Sequence, residues 1–116
     1  MKILWLGSAH PLVEQLVQLR DLYGLDAHIH EDPAPCDSVE TAIRRIHGYG
    51  ANVVVMPCGP TWLQNALVEK GVNLFVPVLE EIDDPHHVPD RNRDIRVRSG
   101  WKRHVRFTPA TERILR

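Results

Sequence analysis

Three times in its first 80 residues this chain passes from a short apolar run into a stripe of apolar residues at helical spacing, and a fourth apolar run closes the series. Residues 2–7 (KILWLG) form the first run, with the profile of a strand buried on both faces. Pro11 stands where a helix begins, and Leu12, Leu16, Leu19 and Tyr23 recur at helical spacing until Gly24 supplies a stop. Residues 25–30 alternate, Leu25, Ala27 and Ile29 against Asp26, His28 and His30, which predicts an edge or half-exposed strand. Asp37, with Glu40 three residues on, suits the start of a second helix whose Val39, Ala42, Ile43 and Ile46 share one face. Residues 51–56 are a second wholly apolar strand. After the loop Pro57-Cys58-Gly59-Pro60-Thr61 comes a helix carrying Leu63, Ala66 and Leu67, stopped by Gly71. Residues 72–79 read as the fourth strand, in which Pro77 requires an edge, a bulge or the strand's end.

Strand–helix alternation with such short connections requires right-handed crossovers and a parallel sheet covered by helices. The predicted fold is therefore α/β: a Rossmann-like, flavodoxin-like parallel sheet of about four strands, in one domain spanning residues 1–116. Within it, residues 1–80 form the strand–helix core, 81–93 an acidic connection, and 94–108 a basic hairpin. The hairpin reads from alternation around Ser99-Gly100, a usable two-residue turn. In that register Arg96, Arg98, Lys102, His104 and Arg106 form a basic stripe, opposite a face made mostly of Ile95, Val97, Trp101, Arg103, Val105 and Phe107.

Charge is split along the chain. Residues 91–116 carry nine Lys/Arg against two acids, a balance of +7, while residues 1–90 carry five against thirteen, a balance of −8. Such asymmetry fits an anionic ligand, an acidic partner, or one half of the fold neutralising the other. The longest apolar runs are far too short to span a bilayer, and no signal-peptide pattern opens the chain. Two cysteines, Cys36 and Cys58, do not resemble a disulfide framework, so a reducing, cytoplasmic setting is expected, with no membrane partner.

In a parallel sheet of strand order 2-1-3-4, ligands bind beyond the carboxyl ends of strands 1 and 3, where the order reverses. The loops there are Gly7-Ser8-Ala9-His10-Pro11 and Pro57–Thr61, whose small residues, hydroxyls and helix starts suit a phosphate. Ser8, His10, Cys58, Gly59 and Thr61 are thus candidate ligand contacts, and Ser8 or Thr61 otherwise serves as a helix cap. His10 is the candidate acid–base residue and, with Ser8, the candidate catalytic pair. Cys58 lacks the C-x5-R loop of low-molecular-weight phosphatases, because Gln64 stands six positions on. Seven histidines include no C-x2-C or H-E-x-x-H arrangement, so no metal and no cofactor is expected. Receiver-domain acids are missing after the first and third strands, where Gly7-Ser8 and Met56-Pro57 stand. Trp101, between Arg98 and Lys102, pairs an aromatic with cations as single-stranded nucleic-acid sites do.

Residues 2–12 (KILWLGSAHPL), a first strand entering a Ser/His-Pro loop, together with the loop Cys58–Thr61, resemble the small stand-alone CRISPR-associated proteins of the CARF-like and ring-nuclease-like group. The resemblance covers the first 80 residues in outline. It implies a homodimer that binds a nucleotide or cyclic oligoadenylate messenger, and cleavage without metal through the ribose 2′-OH. It also implies ligand contacts from Ser8, His10 and Thr61, with basic side chains such as Arg96, Arg98, Lys102 and Arg106 neutralising phosphates. Two other functions suit the charge pattern: a protein-interaction module that docks the basic hairpin on an acidic surface, and direct binding of DNA or RNA.

Overall fold

The computed structural model describes residues 1–98 and 100–111. Ser99 of the expected turn, and Glu112, Arg113 and Arg116 of the basic end, lie outside the described residues. The elements are β1 (Lys2–Leu6), α1 (Val13–Tyr23), β2 (His28–Asp32), α2 (Val39–Tyr49), β3 (Val53–Val55), α3 (Thr61–Glu69), β4 (Leu74–Ile82), β5 (Asp94–Val97) and β6 (Gly100–Pro109). They form an α/β fold around one mixed sheet of order β2-β1-β3-β4-β6-β5. Strands β2, β1, β3 and β4 are parallel to their neighbours, whereas β6 runs antiparallel to β4, and β5 to β6. The sheet has six strands rather than about four because the hairpin continues it, pairing with β4 from Phe75 to Ile82. Among the described residues no helix is long and apolar enough to cross a membrane.

Successive strand residues point to opposite faces, and two apolar clusters follow that alternation. Ile3, Trp5, Val53 and Val55 pack with Leu19 and Tyr23 of α1. Leu4, Leu6, Val54, Met56, Leu74 and Val76 pack with Ala42 and Ile46 of α2 and Leu63 and Leu67 of α3. β1 from Ile3 to Leu6 and all of β3 are buried, as their uninterrupted apolar sequence requires. Each fully buried aliphatic side chain contributes about 1.5–3 kcal/mol.

Local differences from the sequence reading have physical causes. α2 is capped by Ser38, whose Oγ accepts the Thr41 amide at 3.1 Å, and not by Asp37. β2 starts at His28, leaving Leu25 88% exposed, and it is an edge strand as its polar alternation predicts. Pro77 stands inside β4, between β3 and β6. The Phe75 carbonyl accepts from Met56 N, and two residues on Pro77 faces the same side, past the end of β3, where no ladder bond is lost. Because β4 continues to Ile82, Glu80 and Glu81 are not loop residues. They sit opposite Arg103 and Lys102.

The hairpin register also differs. Val97 pairs with Gly100, so the chain reverses one residue earlier than Ser99-Gly100 implies. Moving a two-residue turn by one position shifts every cross-strand pair by two and leaves the faces as they were. Such a turn always sets even positions of one strand against odd positions of the other. Arg96 therefore shares a face with Trp101, Arg103 with Asp94, and Lys102 with Ile95, which divides the expected basic stripe. Farther along, Val78 faces Arg106 and Leu79 faces His104, leaving Val105 as a bulge. The bulge brings His104 and Phe107, three residues apart, to one face, with ring centroids 4.8 Å apart. His104 is consequently buried at 1% exposure beneath α1 instead of standing in a solvated stripe.

Candidate functional site

The strand order places the reversal between β1 and β3, and a cleft of about 260 Å³ opens there. Its walls come from the ends of three parallel strands: Leu6–Ser8 after β1, Pro33–Cys36 after β2, and Met56 with Cys58–Pro60 after β3, floored by Leu63. Two contacts hold these loops in place. The Trp5 indole donates to the Ala9 carbonyl at 2.6 Å, so a buried core residue shapes the β1 loop. Arg45 of α2 donates to the carbonyls of Ala34 and Pro35 at 3.0 and 2.9 Å, fixing the opposite wall.

The structure brings Ser8, Cys58 and Gly59 together in this cleft. His10 stands beside it, exposed, its Nδ1 2.9 Å from Glu31 Oε1. Thr61 is the exposed first residue of α3. Among the described residues lining the cleft there is no Lys or Arg, and the hairpin does not converge on it. Trp101 lies opposite Ile82, seven residues along β4 from Phe75, the partner of Val55. At about 3.3 Å per residue that is roughly 23 Å along β4 from the level of Val55. Arg96, Arg98, Lys102 and Arg106 do not line the cleft, although Arg106, opposite Val78, stands only three residues along β4 from Phe75.

Around the hairpin the chain answers its own charge. Asp94, the one acid in residues 94–108, is buried and accepts from Arg103 Nε at 3.1 Å, His87 Nε2 at 2.8 Å and the Asp90 amide at 2.8 Å. Burial pushes its carboxyl up, but the Asp90 amide, Arg103 and His87 outweigh that and hold it at about 2. Arg96 stacks on Trp101 with its guanidinium 5.4 Å from the ring centroid. Neither Asp94 nor His87 stands among the residues singled out from the sequence; the available signal was a lone carboxylate within a basic alternation.

A second buried array ties α1 to the β6 bulge. The Leu12 amide donates to Gln15 Oε1, Gln15 Nε2 to His104 Nδ1, His104 Nε2 to Gln18 Oε1 at 2.7 Å, and Gln18 Nε2 to the Val105 carbonyl. This direction of bonding requires a neutral ring with its proton on Nε2. Burial lowers the His104 pKa, with Glu14 acting weakly in the other sense.

A larger cavity, about 640 Å³, lies at the other end of the sheet, between α2, α3 and the amino ends of β3 and β4. Strand amino ends and helix carboxyl ends meet there, which is the end opposite to where parallel sheets bind ligands. Among the described residues no group of three His, Cys, Asp or Glu side chains is placed to hold a metal ion. In comparison with known proteins, the chain matches no family model, no curated protein and no solved structure.

Proposed function

We propose that this chain is a Rossmann-like domain that binds a nucleotide in the cleft between the β1 and β3 loops. The observation that carries the reading is the coincidence of a formed cleft with the reversal of strand order in a parallel sheet. Its apolar walls, Leu6, Pro33, Met56 and Leu63, suit a base or ribose, while the Ser8 hydroxyl and the start of α3 offer hydrogen bonds to polar groups. No Lys or Arg lines the cleft among the described residues, which argues against phosphate neutralisation by the hairpin and leaves the ligand to Ser8 and backbone amides.

The test is a thermal-shift panel of AMP, ATP, cyclic di-AMP and cyclic tetra-adenylate at low salt, with product analysis and light scattering on the same samples. A nucleotide present at about 100 times its Kd stabilises by about 2.7 kcal/mol, which is several degrees in a domain this size. Ser8→Ala is expected to weaken that ligand by up to about tenfold, the worth of one hydrogen bond. New linear products and a two-chain mass would extend the reading to cleavage by a dimer. No shift with any member of the panel would overturn it.

A further inference from the structure

The chain contains two cysteines and two methionines, and three of these four sulfur-bearing residues, Cys36, Met56 and Cys58, line the same cleft. They come from separate stretches: Cys36 from the loop after β2, Met56 and Cys58 from the end of β3. Only the fold gathers them. Their placement is held in two ways. Arg45 binds the Ala34 and Pro35 carbonyls immediately before Cys36. Gly59 leaves room for the thioether, since a Cβ at that position would lie 2.8 Å from Met56 Cε. Cys36 is partly buried, its Sγ donating to the Ser38 carbonyl at 3.6 Å, and Cys58 is exposed. The remaining lining is apolar or carries only the Ser8 hydroxyl, with no carboxylate or imidazole among the described residues.

We propose that these three sulfurs form a binding site for a soft monovalent metal ion, Cu(I) in chemical class. Thiolate and thioether donors select soft ions, and Cu(I) is satisfied by two or three sulfurs. Zn(II) requires four donors in a tetrahedron, and hard cations require oxygen, so this donor set discriminates against both. Binding is a ligand exchange without electron transfer. Two thiol protons pass to the buffer, two Cu–S bonds form to Cys36 and Cys58, and the Met56 thioether donates a third pair without losing a proton. The site does not depend on the nucleotide reading, because the metal titration contains no nucleotide and the two readings fail separately.

The test is an anaerobic titration of the fully reduced chain with Cu(I) against a chromophoric Cu(I) chelator such as bicinchoninate. The expected result is one Cu(I) per chain, taken from the chelator. Cys36→Ser and Cys58→Ser should each lower affinity by more than about 100-fold, the upper end of what changes outside the ligand shell cost. Met56→Leu, which keeps the core volume, should weaken Cu(I) without changing the two-proton release. Circular dichroism and urea midpoints of each variant separate loss of a ligand from loss of fold. Unchanged affinity in either Cys→Ser variant, or equal affinity for Zn(II), would overturn the site. So would failure of the reduced protein to compete with the chelator.

Discussion

His104 Nε2 donates to Gln18 Oε1 at 2.7 Å, and through that bond a buried, neutral imidazole on β6 is locked to α1. The Gln15 amide on the other ring nitrogen fixes the same tautomer, so protonating the ring opposes both its burial and its Nδ1 partner.

The first prediction concerns pH. The folded pKa of His104 lies below the ordinary value of 6.5, so the neutral ring's contribution is complete above that value and is lost as pH falls through it. Urea midpoints measured from pH 7.5 to 5 should fall, and the fall should be smaller in His104→Gln. An identical slope in the variant would remove His104 from the explanation.

Asp94 titrates in a different window. Its carboxyl is held at about 2 against an ordinary 3.8, so its contribution is present above about pH 4 and is lost as pH falls towards 2. Asp94→Asn keeps the shape but removes the charge that Arg103 and His87 bind. At pH 7 it should cost about 1–3 kcal/mol by urea denaturation. The variant should also lose the wild-type decline between pH 4 and 2.

Glu80 and Glu81 stand opposite Arg103 and Lys102 across β4 and β6. Replacing both with lysine sets like charges face to face. Each pair should then cost up to about 1 kcal/mol relative to the native arrangement. Because these positions are exposed on the β4 side, raising the salt from 0.05 to about 1 M should recover part of the loss, as screening of surface charge requires.

Gly50 closes α2 in the left-handed conformation, φ +73°, with its amide bonded to the Ile46 and His47 carbonyls. A Cβ there would meet nothing within 4 Å. Gly50→Ala should therefore cost about 1–2 kcal/mol from backbone conformation alone, and Gly50→Asn less. Equal stability of all three proteins would contradict that account of the helix end.

The parallel core was legible because its signals are local: uninterrupted apolar strands at residues 3–6 and 53–56, helical stripes such as Ala42 and Ile46, and glycines at the helix ends. The cleft's position followed from strand order, which short crossovers nearly dictate. What remained hidden depends on pairing. The hairpin's partners depend on where its turn falls, and the Val97–Gly100 pairing sets Arg96 opposite Trp101 and Asp94 opposite Arg103. The Val105 bulge then turns His104 inward, an event no period-two pattern encodes. Asp94 became visible only when the loop carrying His87 and Asp90 folded onto it.

The most direct test of the nucleotide reading is a backbone amide chemical-shift map, recorded while titrating the labelled chain with each nucleotide of the panel. The account predicts perturbations at Gly7, Ser8, Ala9, Cys36, Cys58, Gly59 and Leu63, saturating together, with residues 94–104 unmoved. Perturbations centred on Arg96 and Trp101, or none at saturating nucleotide, would contradict it.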